Sequence, residues 1–206
     1  MGLSKAELTG DLDALSAHCQ VIAATLERTG YPEPRGREPG YETLLRTIVG
    51  QQVSVKAAAS IWNKVAAAVG EITSPHAMLA MSFDELRGAG LSRQKIAYAQ
   101  SLAELTTSGA LDLHALPAND DEAIAALTAV KGIGQWSAEV YLLFAEGRRD
   151  IWPAGDLAVQ IETGRVHDLA ERPKERAVRA LAEKWRPHRG SAAILMWHSY
   201  NLGDVI

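Results

Sequence analysis

Apolar residues recur along this chain every three or four positions, which is the spacing of one face of an α-helix. Leu12, Leu15, Cys19, Ile22 and Leu26 form one such stripe, which predicts a first helix ending near Gly30. Further helices are predicted from residue 41 onward and over 54–69, 92–105, 120–127, 137–145, 174–185 and 191–200. No stretch alternates apolar and polar residues as a half-buried strand does. The pattern therefore predicts an all-α fold.

Glycine and proline interrupt the helical pattern at two informative places. YPEPRGREPG, residues 31–40, carries three prolines and two glycines and is predicted to be a surface loop. In LTAVKGIGQWSAEV, residues 127–140, Gly132 and Gly134 would each cost roughly 1 kcal/mol inside a helix, so they predict a turn between two helices.

A tight Gly-x-Gly turn has a chemical consequence at the start of the helix that follows it. Several backbone N–H groups point outward there, and the helix dipole is positive at the same end. Such a turn can hold a phosphate diester without reading base sequence. A plain corner between two helices is the alternative interpretation.

Composition narrows the class of protein. With 206 residues, 47% of them hydrophobic, the chain can bury a sizeable core. The lone Cys19 excludes an intrachain disulfide and cannot supply an iron–sulfur cluster, and the six histidines lack the spacing of a transition-metal site. Neither a signal pattern nor a run approaching about 18 apolar residues is present, so we expect a cytoplasmic protein without a membrane partner.

Charge is distributed unevenly along the chain. The net charge of −4 argues against a nucleic-acid partner, but residues 165–189 contain eight Lys or Arg against four Asp or Glu. A local basic surface is enough to bind phosphate, because salt screens charges beyond about 8–10 Å. A solvated helix face is the alternative for this stretch.

Four segments together resemble one family of proteins. VKGIGQWSA and FAEGRRDIWPAGDLAVQ resemble the hairpin and the Gly/Pro-rich loop with its catalytic aspartate in the HhH-GPD superfamily of DNA glycosylases. TIVGQQVSVKAAASIW and WRPHRGSAAILMWHSY resemble its alkylation-repair branch, the 3-methyladenine DNA glycosylase II (AlkA-like) family. The resemblance extends over about residues 12–203.

The resemblance implies a helix-hairpin-helix glycosylase fold. A single unit over residues 1–206 would consist of two interleaved helical subdomains with a cleft between them, and the hairpin would occupy about residues 124–145. The extra amino-terminal β domain that some members carry would be absent.

The resemblance also assigns Asp156 as the catalytic residue of a base excision repair enzyme. Losing a base gives the sugar oxocarbenium character, and a nearby carboxylate stabilises that charge. Alkylated bases of the 3-methyladenine and 7-methylguanine type are cationic, so they can leave without a general acid. A helix N-cap is the bland interpretation of Asp156, and it is compatible with the catalytic one.

Trp136 separates two kinds of glycosylase. Bifunctional members of the superfamily have at this position a lysine that attacks the sugar, so tryptophan predicts a monofunctional hydrolase that leaves an abasic site. Lys131, before Gly132, is not that nucleophile. Trp136 and Trp197 match aromatic residues of the family's base pocket, where an indole face favours a flipped cationic base; packing in a core is their alternative role.

Two positions in this site depart from the family pattern. Val140 and Leu157 stand where relatives with the larger architecture have tyrosines. We therefore expect a less aromatic and wider base pocket.

The remaining site residues follow from the resemblance by position. Gln52 matches the side chain that wedges into the duplex when the base leaves. The carbonyls of Thr128, Val130 and Ile133 match those that hold a monovalent cation, so a structural Na⁺ or K⁺ at the hairpin is the only bound group expected. The other predicted DNA contacts are Lys56, Lys131, Gly132 and Gly134. We expect a monomer at the nucleoid whose partner is double-stranded DNA containing alkylated bases.

Two other functions remain open from the residues alone. One is a non-catalytic helix-hairpin-helix module that binds DNA, and the other is a glycosylase for deaminated bases such as hypoxanthine. Asp156 together with Trp136 favours an enzyme over the module. The cationic leaving group favours alkylated over neutral deaminated bases.

Overall fold

The computed structural model describes residues 2–203, and every regular element within that range is helical, which confirms the predicted all-α class. A π-helical turn at Leu142–Glu146 and a 3₁₀ turn at Glu183–Trp185 accompany the α-helices. The α-helices are α1 Lys5–Ser16, α2 Gln20–Thr29, α3 Tyr41–Gly50, α4 Val55–Val69, α5 Pro75–Ala80, α6 Phe83–Gly88, α7 Arg93–Thr107, α8 Asp120–Thr128, α9 Gln135–Tyr141, α10 Leu157–Val166, α11 Glu175–Ala182 and α12 Arg189–Leu202.

The prediction of one continuous first helix is wrong. The chain turns between Ser16 and Gln20, so that α1 and α2 pack against each other, and the apolar stripe still ends in the core on both sides of the turn. Cys19 lies at the turn, buried, and its Sγ accepts a hydrogen bond from the Trp185 indole at 3.3 Å. Helical periodicity does not reveal such a turn, because the apolar spacing continues through it.

Serine marks the start of several helices. The hydroxyls of Ser4, Ser54, Ser82 and Ser92 each accept a hydrogen bond from a backbone N–H in the first turn of α1, α4, α6 and α7. Each such cap is typically worth about 1 kcal/mol. The six-residue helices α5 and α6 were not predicted, because two turns are too short to display an apolar stripe.

The contacts divide the chain into two units. One consists of the described parts of Met1–Arg37 and Leu142–Ile206, and the other is Glu38–Tyr141. None of the helices within residues 2–203 is both long and apolar enough to cross a membrane. The cleft that the resemblance implies stays a prediction.

Each unit has its own core. In the first unit, α12 packs against α1, α2 and α10, and most of its first two turns is buried. In the second unit, α7 packs against α3, α5 and α6, while α8 and α9 pack against each other. The first unit thereby places Asp156, at the start of α10, beside α12, and the second unit carries the Gly-x-Gly turn between α8 and α9.

Burial of a histidine predicts acid sensitivity of the first unit. Desolvation lowers the pKa of His167, whose Nε2 lies 3.3 Å from the Lys184 ammonium. The unfolded chain then binds more protons, so this contribution to stability is present above about pH 6.5 and is lost as the pH falls through the lowered folded value. Burial also lowers the pKa of His188, which adds in the same direction.

We therefore expect the thermal midpoint to fall between pH 7 and pH 5, and to fall less steeply in His167→Gln. Circular dichroism melts over this pH range measure the slope, with His114→Gln, an exposed histidine in the other unit, as the matched control. Equal slopes for the parent and His167→Gln would contradict the assignment.

Candidate active site and DNA-binding hairpin

Asp156 caps helix α10, as the N-cap interpretation of this residue predicted. Its Oδ1 accepts a hydrogen bond from the Val159 backbone N–H at 3.0 Å and another from the Trp197 indole N–H at 2.9 Å. The side chain is half-buried, with Gly155 and Leu157 exposed on either side of it. The carboxylate is therefore fixed in direction at a helix start and lies close to solvent.

Trp197 joins this carboxylate to a cavity in the same unit. Its ring packs against Phe144, with centroids 5.4 Å apart and planes inclined by 34°. A cavity of about 130 Å³ lies against both rings. Its lining also includes Tyr31, Glu33 and Arg35. One indole thus contacts Asp156 through its N–H and borders an aromatic cavity that also carries charged side chains.

The hairpin turn is built around Gly132. Its φ of +83° lies in the left-handed region, and a Cβ at this position would stand 2.1 Å from the ring of Tyr98 on α7. The turn is further held by Ser101, whose hydroxyl accepts the Lys131 backbone N–H at 3.2 Å. Glycine is thus required at 132 both by conformation and by packing within the protein.

Neither backbone conformation nor packing within the protein requires glycine at position 134. Its φ is not in the left-handed region, and a Cβ there would meet nothing within 4 Å. Within residues 2–203, the N–H groups of Gly132 and Gly134 donate to no protein acceptor. At Gly134 the turn therefore combines a backbone donor with open space, as an anion site requires.

The carbonyls predicted to hold a monovalent cation lie on this turn. Thr128 ends α8, Val130 and Ile133 are buried, and the Val130 oxygen already accepts the Ile133 N–H at 3.0 Å. A carbonyl oxygen has a second lone pair for a further partner. Residues 128–134 contain no carboxylate, so the donor set is neutral and fits Na⁺ or K⁺ better than a divalent ion.

The loop between α3 and α4 exposes Gln52. This residue adopts a φ of +54°, which is uncommon for a residue other than glycine. Beside it, the Gln51 amide donates to the Gly132 carbonyl at 2.8 Å. The Lys95 ammonium, whose pKa is lowered by burial, donates to the Val49 carbonyl at 2.7 Å at the end of α3. The loop is thus fixed at its base and ties directly to the hairpin turn.

The other predicted site residues lie in different settings. Trp136, in the first turn of α9, is 47% exposed, so it is not a core residue. Lys131 and Lys56 are exposed on the hairpin turn and in the first turn of α4. Val140 is half-buried and Leu157 is exposed. The structure brings Asp156 and Trp197 into contact, and it places the two glycines, Lys131 and the three carbonyls on one turn.

The basic stretch 165–189 is partly neutralised. Arg165 pairs with Glu162, and Arg186 and Arg189 both pair with Asp150, two carboxylates that lie outside the counted stretch. Arg179 pairs with Glu175 inside it. The basic surface expected from the sequence is weaker than the residue count suggests.

Three residues that support the hairpin were not predicted. Tyr98 and Ser101 lie on α7 and Gln51 lies 81 positions before its partner Gly132. Their contacts arise between elements far apart in sequence, and no local pattern marks them. Only the adjacency of Gln51 to Gln52 could have drawn attention to it.

Comparison with known proteins gives the same assignment. Residues 45–188 match the family described as HhH-GPD superfamily base excision DNA repair protein. DNA-3-methyladenine glycosylase 1 of Schizosaccharomyces pombe is 34% identical over 172 residues, which cover 82% of this chain and 75% of that protein.

Two solved structures share the fold. The 3-methyladenine DNA glycosylase of S. pombe in complex with abasic DNA has a TM-score of 0.81 at 29% identity, covering 96% of this chain and 99% of that one. A DNA-3-methyladenine glycosidase from Bacillus halodurans has a TM-score of 0.86 at 30% identity, covering 92% and 88%. Sequence motifs, fold and relatives agree, and the chain belongs to the HhH-GPD superfamily of base excision DNA repair proteins.

Proposed function

We propose that this protein is a monofunctional DNA glycosylase that hydrolyses the N-glycosidic bond of alkylated bases in duplex DNA and leaves an abasic site. The bases are of the 3-methyladenine and 7-methylguanine type. The observation that carries the proposal is the Asp156 carboxylate, oriented by Trp197 and Val159 at the start of α10. The names of the relatives support the same substrate class.

Asp156 acts on the sugar in this mechanism. As the bond to the base breaks, positive charge develops on the deoxyribose, and a fixed carboxylate stabilises it without reorganising. The two hydrogen bonds to Oδ1 hold the carboxylate in one direction. The cationic base leaves as a neutral molecule, water adds to the sugar C1′ in its place, and the proton that this water loses passes to the Asp156 carboxylate and then to solvent. No acid is needed to protonate the leaving group.

In this proposal the two tryptophans bind the flipped nucleobase. Trp197 borders an aromatic cavity, and we assign the exposed side chain of Trp136 to stacking on the flat base. An indole face attracts a cationic ring by a cation–π interaction, which a neutral base does not gain. Tryptophan at 136 also supplies no amine for a Schiff base, which supports hydrolysis without strand cleavage.

The hairpin binds the DNA backbone. The N–H groups of Gly132 and Gly134 donate to a phosphate, and Lys131 and Lys56 add positive charge. A Na⁺ or K⁺ held by the carbonyls of residues 128, 130 and 133 would neutralise part of the phosphate charge. Gln52, exposed on a loop fixed at its base, fills the gap in the duplex left by the flipped base.

Single-turnover reactions on a duplex with one 7-methylguanine test the proposal. We expect release of the base and an abasic site, strand breaks only after alkali, and no covalent complex after borohydride. Duplexes with hypoxanthine or only normal bases serve as controls.

Each other outcome identifies a different function. Binding without release of any base would indicate the non-catalytic module, and equal release of hypoxanthine would indicate the deaminated-base enzyme. A borohydride-trapped complex would show a lyase.

A further inference from the structure

The carboxylate of Glu162 is buried on α10 and takes no part in the chemistry described above. It is 1% exposed and accepts hydrogen bonds from the Arg165 guanidinium at 2.8 and 2.9 Å and from Arg28 at 3.2 Å. The hydroxyl of Ser199, fully buried on α12, donates to the same carboxylate. A buried charge this well paired is tolerated, but a paired charge is seldom the most stable solution at a core position. Its position in the fold suggests a role beyond stability.

Glu162 and Ser199 connect the two helices that carry Asp156 and Trp197. Asp156 caps α10 and Glu162 lies six residues later, whereas Trp197 and Ser199 are two residues apart on α12. The pair α10 and α12 is therefore joined twice, by the indole of Trp197 on Asp156 and by the hydroxyl of Ser199 on Glu162. Arg165 contributes a third bond, donating to the Ser199 hydroxyl at 3.1 Å.

The register between these helices controls the Asp156–Trp197 hydrogen bond. A shift of one residue along a helix displaces a side chain by about 1.5 Å, which would break a bond of 2.9 Å. Interdigitated apolar side chains also resist such sliding, and the hydrogen bonds to a fixed carboxylate add the requirement of one geometry. A misplacement of about 1 Å at a catalytic group can lower a rate by as much as a hundred-fold.

We propose that Glu162 and Ser199 are positioning residues, whose hydrogen bond sets the register of α12 on α10 and so keeps the Trp197 indole on the Asp156 carboxylate. The catalytic consequence rests on the proposed function, whereas the geometric consequence does not. Arg165 and Arg28 pair with Glu162 and hold its carboxylate beside Ser199.

The chain contains a matched control for Ser199. Ser191 is also fully buried on α12, and its hydroxyl donates at 2.7 Å to the buried carboxylate of Asp11, which pairs with Arg149. This second serine joins α12 to α1 and not to α10. Ser191→Ala and Ser199→Ala both remove a buried hydroxyl that donates to a buried carboxylate. Ser199 also accepts hydrogen bonds from Arg28 and Arg165, so the thermal midpoints of both variants are measured beside the exchange rates.

Hydrogen exchange at the Trp197 indole tests the geometry directly. The protein has five tryptophans, and the Trp197 indole resonance in ¹⁵N spectra is assigned by its absence in Trp197→Phe. We expect Ser199→Ala to speed its exchange by about ten-fold and Ser191→Ala to change it by less than about two-fold. Unchanged exchange in Ser199→Ala, or an equal increase in both variants, would overturn the proposal.

Excision of 7-methylguanine tests the catalytic consequence. We expect Ser199→Ala to slow single-turnover release about five-fold at unchanged duplex affinity, but to slow it less than about two-fold further in a Trp197→Phe background. Full additivity of the two substitutions would overturn the proposal. If the parent releases no base, the proposed function fails, and the indole exchange still decides whether Ser199 positions Trp197.

Discussion

Asp156→Asn is expected to lower single-turnover release of 7-methylguanine by about a thousand-fold while leaving the fold and duplex binding intact. Asparagine caps helices as well as aspartate does, and its carbonyl oxygen can accept both the Val159 and the Trp197 hydrogen bonds. The substitution therefore removes the charge and little else. The rate is measured with enzyme in excess over a duplex carrying one lesion.

Asp112→Asn is the matched control for this prediction. Asp112 also accepts a backbone hydrogen bond in a turn, from His114 at 2.9 Å, but it lies in the other unit and is exposed. It should release the base at the parental rate. Retention of parental activity by Asp156→Asn would remove this aspartate from the mechanism.

Gly132→Ala is expected to cause the largest loss of stability at the candidate site. A Cβ at 132 would enter the Tyr98 ring, at 2.1 Å, and the residue would be held at a φ of +83°. Together these effects should cost about 2–4 kcal/mol, which lowers the thermal midpoint by roughly 5–15 °C. Duplex binding should be lost with the turn. Thermal melts and fluorescence anisotropy with labelled duplex measure the two effects.

Gly134→Ala provides the contrast to Gly132→Ala. No protein atom lies within 4 Å of its added Cβ, so the thermal midpoint should stay at the parental value. A methyl group in the proposed phosphate site should nevertheless weaken duplex binding about ten-fold, because hydrogen bonds to a charged group are lengthened. Parental affinity in Gly134→Ala would place the phosphate elsewhere.

Tyr98→Ala separates the two causes at Gly132. In that background the clash disappears and only the cost of the positive φ remains, so Gly132→Ala should become milder. An unchanged cost would mean that backbone conformation alone requires glycine there.

The sequence predicted the helices and the turn well, because both depend on local chemistry. Apolar spacing indicates the longer helices. Gly132 indicates the turn, because glycine is unfavourable inside a helix. The prediction failed at Cys19, because the apolar spacing continues through the turn there. It also failed at α5 and α6, because these helices are too short to show an apolar stripe.

The residues of the candidate site were predicted one by one, but the contacts between them were not. Asp156 and Trp197 were assigned separate roles in the chemistry and the base pocket. Nothing in the sequence indicates the hydrogen bond between them, because they lie 41 positions apart. Gln51 contacts the hairpin from 81 positions away, and Tyr98 contacts it from another helix, α7. Such contacts depend on how helices pack, which a single sequence does not encode locally. The roles of all these residues stay predictions: Asp156 in catalysis, Trp136 and Trp197 in the base pocket, Gln52, Lys56, Lys131, Gly132 and Gly134 in DNA binding, and the carbonyls of Thr128, Val130 and Ile133 at the cation.

The two roles of Asp156, as a helix cap and as the proposed catalytic residue, constrain which substitutions this protein can accept in evolution. Because one side chain both caps α10 and carries the proposed catalytic charge, most replacements lower stability as well as activity and are removed by selection on either ground. Asparagine is the exception, since it keeps the cap. A single nucleotide change from an aspartate to an asparagine codon is therefore the shortest route from this enzyme to a folded, DNA-binding descendant without catalysis.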